Sequence, residues 1–135
     1  METNALGCTF LGQIEHRTVD VDGEWAVEFD ITDDLRGPAG SVHGGLVSMI
    51  VDVAGASCLA REVGRPVATA STSIQYLSAG RIGPVRATGN VLRATDTLGV
   101  VEVRVVDVGK DERLMAVAHV TLKLLAGDAY VRQTS

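Results

Sequence analysis

The 135-residue chain has only two cysteines, Cys8 and Cys58. That is neither the density of a disulfide framework nor the spacing of a zinc site, and it fits a reduced, cytoplasmic setting. Basic residues are also scarce: 12 Lys and Arg against 17 Asp and Glu leave a net charge of −5. A broad nucleic-acid surface needs a basic face, so that class is set aside, although a small anion held by a few arginines is not. No apolar run is long enough to span a bilayer, since the longest, within residues 40–60, is broken by Asp52. The start "METNALGCTFLGQIEHRT" lacks a basic stretch followed by an apolar block, so no export signal is expected. Internal repeats and low-complexity linkers are absent too. With 46% apolar residues, positions 1–135 read as a single globular domain, frayed over its first few residues and over about 127–135.

Alternation dominates what is present. In "EWAVEFDI" Trp25, Val27, Phe29 and Ile31 share one face and Glu24, Glu28 and Asp30 the other, which predicts a half-buried strand. A weaker strand is expected over "TFLGQIEHRTV", joined to it by a hairpin turn at "DVDG" (20–23). Four more strands are expected at 67–77, 82–94, 97–108 and 114–125, separated by turns too short for parallel crossovers. The exception is residues 43–62, with Ser41 as a cap and Pro66 as a barrier, where apolar residues cover nearly every direction of a helical wheel. Such a helix is a buried one. Six antiparallel strands and one central helix make an α+β pattern that resembles the hotdog fold, a sheet wrapped around a single long helix.

The stretch "GSVHGGLVSMIVDVAGASCLA" (40–60) carries the candidate chemistry. "HGG" lies where the first helical N–H groups have no partner inside the helix. It reads either as a plain turn or as an anion-binding helix start suited to a developing oxyanion. Asp52 sits on the same helix, and its neighbours at three and four residues, Ser48, Met49, Gly55 and Ala56, cannot neutralise it. It therefore faces solvent through a gap, meets a partner from elsewhere, or lines a pocket. In a pocket, desolvation would suit it to base or nucleophile chemistry. Gly44 and Asp52 are eight residues apart, roughly 12 Å along one helix, too far to share one carbonyl group. If they cooperate, they come from two copies of the chain, as in a two-fold dimer with antiparallel helices.

"G-S-V-H-G-G" followed by an aspartate nine positions after the histidine resembles the acyl-CoA thioesterases of the phenylacetate-degradation (PaaI-like) branch of the hotdog superfamily. The likeness runs from about residue 10 to 125 and includes "IQYLSAG" after the helix. It implies hydrolysis of an acyl-CoA thioester to a carboxylic acid and a thiol, without metal or redox cofactor. In that frame Asp52 is nucleophile or general base, the Gly44 N–H binds the oxyanion, and His43 orients the thioester or the loop. Thr69, seven residues before Tyr76, positions the attacking water, and Gly45 and Ser48 contact substrate. The resemblance also implies a homodimer, with dimers pairing into tetramers, and no nucleic-acid or membrane partner. One departure stands out: family members commonly carry an asparagine six residues before the histidine, where this chain has Gly37. Arg36 substitutes, the water is held differently, or activity is weak. Gly37 also keeps open a non-catalytic acyl-CoA-binding module, sensor or carrier. A hotdog hydratase or dehydratase is a third reading, though the differently placed histidine it requires is not found.

Other candidates read as structural. His16 and His119 lack ligand spacing, and Cys58 reads as a small buried hydrophobe. "GPAGSVHGG" lacks the lysine of a nucleotide-binding loop. Among Arg61, Arg65, Arg81, Arg86, Arg93 and Arg104, some are candidates for the phosphates of coenzyme A.

Overall fold

A computed structural model of the protein describes residues 12–127. Two strands, β1 (Arg17–Val21) and β2 (Glu24–Phe29), precede a single long helix, α1 (Gly44–Val63). Four strands follow it: β3 (Val67–Tyr76), β4 (Val85–Ala94), β5 (Leu98–Asp107) and β6 (Arg113–Leu124). All pair antiparallel into one sheet in the order β1-β2-β4-β5-β6-β3, and α1 packs against β2, β3, β4, β5 and β6. This is the hotdog fold expected from the sequence. Cys8 and the terminal segments lie outside the described residues.

Local chemistry explains the turns. β1 and β2 are joined by Asp22 and Gly23, both at positive φ, the conformation that matches a two-residue hairpin to strand twist. The strand anticipated from residue 9 begins only at Arg17 among the described residues. Before it, residues 12 and 13 are helical rather than extended, and the His16 ring bonds the Ile14 carbonyl at 2.8 Å. The helix cap is His43 rather than Ser41. At the other end Gly64, at φ 67°, closes the helix by donating to the Ala60 carbonyl, before Pro66 is reached.

The core is the inward parity of the strands against one helix face. Val101, Val103 and Val105 of β5 and Ala116, Ala118, Val120 and Leu122 of β6 meet Val47, Ile50, Val51, Ala54 and Leu59. Small residues set the spacing: a Cβ on Gly55 would stand 3.0 Å from Val120, and one on Gly99 only 2.5 Å from Leu59. Two expectations need correction. The helix is covered on one side only, because one sheet cannot enclose it, and its other side carries the exposed Asp52. Glu28, assigned to solvent by alternation, is 5% exposed, because Arg17 and Arg86 fold over it and pair with both its oxygens.

A second buried carboxylate shapes the region beside the helix start. Asp107, with no exposed surface, accepts the backbone N–H groups of Arg81 (2.9 Å), Ile82 (3.2 Å) and Gly83 (2.7 Å). Burial pushes its pKa up, but those three N–H groups and the Lys110 charge outweigh it and hold the carboxyl below its ordinary range. The loop from Ser78 to Gly83 is thereby fixed against the end of β5.

Candidate active site

The chain enters α1 through a braced loop. Val42 donates its N–H to the Gly80 carbonyl at 2.8 Å, His43 to that of Leu35 at 3.0 Å, and Gly37 to that of Ser41 at 2.7 Å. So held, the His43 backbone stays extended (φ −61°, ψ 134°) and its ring turns back over the helix start. Nδ1 accepts the Gly45 N–H at 2.9 Å, which leaves the ring proton of the neutral imidazole on Nε2. The Leu46 N–H is taken by the His43 carbonyl at 2.9 Å. Among the amides from Val42 to Leu46, only that of Gly44 has no partner among the described residues. Around it, a side chain at position 44 would meet nothing nearer than the Tyr76 ring edge at 3.9 Å.

Two turns further along α1, Asp52 projects from the uncovered side of the helix. Its Oδ1 accepts the Thr69 hydroxyl at 2.6 Å, and Oδ2 has no partner among the described residues. Of the three surroundings open to Asp52, the single chain realises the gap to solvent, with a hydroxyl from β3 fixing one oxygen. That contact depends on an irregularity. Thr69 stands opposite Leu122 and Ser71 opposite Thr121, so Ala70 is an extra, bulged residue. In a regular strand, positions seven apart point to opposite faces; the bulge restores parity and turns both Thr69 and Tyr76 toward α1.

Tyr76 forms a second polar cluster with the helix. Its hydroxyl lies 2.6 Å from that of Ser48 and donates to the Gly44 carbonyl at 3.3 Å. Sequence reasoning used Tyr76 only as a landmark; the partners are 28 and 32 residues away, and only its inward position on β3 hints at the contact. Beside the cluster opens a cleft of about 360 Å³, bounded by Ser41, Val42, Gly44, Val47, Tyr76 and Met115 among others.

Gly44, Ser48 and Tyr76 thus meet at the helix start, and Asp52 and Thr69 meet two turns away. Within one chain these groups are separated by roughly 12 Å of helix. Gly45 offers no free amide, because His43 occupies it. At position 37 a Cβ would touch His43 at 3.9 Å, ordinary contact, so the backbone there would accept a larger side chain. Arg36 does not stand in for one: its guanidinium bonds the Gly40 carbonyl at 2.6 Å and lies 3.5 Å from Asp33, bracing the loop.

Elsewhere, Arg65 is tied to the Leu125 and Asp96 carbonyls, Arg86 to Glu28 and Glu112, and Arg61 lies 4.8 Å over the Trp25 ring. His119 approaches Glu102 at 3.7 Å. No three His, Cys, Asp or Glu side chains among the described residues converge as a metal site. Burial, with the Glu62 charge behind it, raises the Cys58 thiol above its ordinary range, as befits an inert packed thiol. No helix among the described residues is long and apolar enough to cross a membrane.

Comparison with known proteins adds three findings. The family model of the thioesterase superfamily matches residues 39–121. A Halobacterium salinarum protein named "Putative esterase VNG_1336C" is 36% identical over 92 residues, which cover 63% of this chain and 60% of that protein. The chain thus matches less than two thirds of that relative's length. Among solved structures, the PaaI protein of the E. coli phenylacetic acid degradation operon superposes with TM-score 0.78 at 20% identity, covering 88% of this chain and 86% of PaaI. The BH2602 protein of Bacillus halodurans, solved with CoA, superposes with TM-score 0.73 at 24% identity, covering 86% of this chain and 76% of its own. At these identities the two structures speak for the fold.

Proposed function

The chain belongs to the thioesterase superfamily, and from that premise we propose that it hydrolyses acyl-CoA or related thioesters at a site shared by two protomers. The observation that carries the reading is the half-satisfied Asp52 carboxylate: Thr69 fixes Oδ1, Oδ2 has no partner among the described residues, and both lie on the open helix face. A carboxylate fixed in orientation with one unengaged oxygen suits proton abstraction from water or direct attack on a carbonyl.

In the base route, Asp52 takes a proton from water as the water oxygen adds to the thioester carbonyl. The Gly44 N–H, at the positive end of α1, steadies the resulting oxyanion. Collapse expels the thiolate, which takes up a proton, leaving a carboxylic acid and a free thiol. The CoA seen with the Bacillus halodurans protein supports a CoA thioester as the substrate class. The free thiol of Cys58 is compatible with a cytoplasmic setting.

Distance supports a shared site, since Gly44 and Asp52 of one helix stand roughly 12 Å apart, and the sheet offers an edge for pairing. β3, ten residues long and mostly exposed, is a sheet edge. An edge of that length is a template for pairing with another chain. Two-fold pairing along β3 sets two α1 helices side by side and antiparallel, with Asp52 of one protomer beside Gly44 of the other. Pairing of dimers into tetramers extends the same proposal.

Gly44→Pro tests the arrangement cleanly. Proline is favoured at the first helical position, and the extended His43 backbone is what a following proline requires. The substitution deletes the one N–H at issue and keeps the helix. Gly44→Pro and Asp52→Asn are each expected to lose thiol release by roughly a hundredfold or more. Mixed and reassembled, they should regain roughly a quarter of parental activity through the one intact site of each mixed dimer. No recovery on mixing refutes a shared site. A non-catalytic acyl-CoA-binding role is favoured by one observation, the bare Gly37 beside His43. Tight CoA-ester binding without thiol release, over aliphatic and aromatic acyl groups, would select that role.

A further inference from the structure

We infer that Tyr76 and His43 clamp the peptide between Gly44 and Gly45 from its two ends and thereby aim the Gly44 N–H; the aiming role rests on the thioesterase reading above. The Gly44 carbonyl and the Gly45 N–H belong to one planar unit. Tyr76 donates to the carbonyl at 3.3 Å, and His43 Nδ1 accepts the N–H at 2.9 Å. Both flanking residues are glycines, so no Cβ limits rotation of this plane. The Gly44 dihedral angles couple it to the preceding peptide, which carries the unpartnered N–H. The preceding peptide has its own carbonyl bonded to the Leu46 N–H at 2.9 Å, so with the following plane clamped as well, both torsions of Gly44 are closed and its N–H keeps one direction.

Ser48 completes the device. A carbonyl only accepts, so the Tyr76 proton goes to Gly44, and Ser48 supplies the proton between the two hydroxyls at 2.6 Å. The phenol is 55% exposed, yet its hydroxyl is engaged by the helix start rather than left to solvent. Tyr76 is therefore a positioning residue, and Ser48, assigned to substrate contact by resemblance, supports it. A misaimed oxyanion donor weakens transition-state binding while leaving ground-state binding in place, so its loss is read in kcat rather than KM.

Tyr76→Phe keeps the ring and removes the hydroxyl. In the full-length protein it is expected to lower kcat roughly tenfold with KM changed less than about twofold, as small misplacements at a reacting centre do. The backbone amide signals of Gly44 and Gly45 in the nitrogen-15 NMR spectrum should move with it. His43→Ala should shift the same two signals, and the double variant should lose little more kcat than the worse single one, because both hold one peptide. Ser48→Ala provides a milder version that keeps Tyr76 itself. A Tyr76→Phe protein with parental kcat, or with parental Gly44 and Gly45 signals, overturns the clamp. A raised KM at parental kcat does so as well, by making Tyr76 a substrate contact. Asp52→Asn should lower turnover roughly a hundredfold or more while leaving those amide signals in place. If the parent protein cleaves no thioester, moved signals still establish the clamp and only the hydrolytic reading falls.

Discussion

Asp52 and Asp107 are two aspartates set among apolar residues, and the fold treats them in opposite ways. Asp107 is fully buried and accepts three backbone N–H groups. Asp52 is exposed on the helix and accepts one hydroxyl. A carboxylate whose oxygens are saturated by main-chain donors is an anchor, with no capacity left for a reactant. One that is oriented through a single oxygen retains a lone pair to act with. On the proposed reading, the number of donors around each group, more than the identity of the residue, separates scaffold from reagent.

Removing each charge should break the molecule along that line. Asp52→Asn is expected to lower thiol release roughly a hundredfold or more while leaving the thermal midpoint in place, since an exposed amide retains the Thr69 contact. Asp107→Asn should do the reverse, costing about 2 kcal/mol of stability in denaturant titration, because the amide NH2 would confront a backbone N–H. The fraction that remains folded should hydrolyse at close to the parental rate. A stable but inactive Asp107→Asn protein, or an unfolded Asp52→Asn one, would exchange the two roles. Thr69→Val sharpens the contrast from the other side: it frees Oδ1 as well, and roughly a tenfold loss in kcat is expected with stability unchanged.

The smallest effect is one of pH. The Asp107 carboxyl is held below its unfolded value, so its contribution to stability is complete above about pH 4 and is lost as pH falls through the folded value. The acid limb of the parental stability curve should therefore be steeper than that of Asp107→Asn. Coincident limbs would mean that Asp107 is not the group that titrates there.

Much of the fold is legible in the sequence because alternation survives wherever one face is buried. Five of the six strands can be located from parity and turn residues, within a few residues at their ends. The start of β1 could not, because residues 12 and 13, inside the expected strand, are helical. Parity also carried information about Asp107, which shares the inward face of Val101, Val103 and Val105 and could have been read as a buried acid. Glu28 defeats parity because two arginines from neighbouring strands cover it, a long-range effect invisible in "EWAVEFDI". The site is less legible. Asp52 and Gly44 stand out by residue type and place, whereas the Thr69 contact depends on a bulge at Ala70, and the Tyr76 contact on a helix 28 to 32 residues away. The cap went to His43 instead of Ser41 because a ring, not a hydroxyl, reaches the Gly45 amide.

The grip of Asp107 has one more consequence. It holds Arg81, Ile82 and Gly83 by main-chain atoms alone. Only Gly83, at φ 83°, is constrained by its own backbone. The side chains at 81 and 82 are then left for other contacts: the Arg81 guanidinium donates to the Ala39 carbonyl at 3.4 Å, and Ile82 packs over Gly109. Ser78, Ala79 and Gly80, which border the cleft, come directly before the gripped segment, so one buried charge moors that wall of the cleft to the sheet.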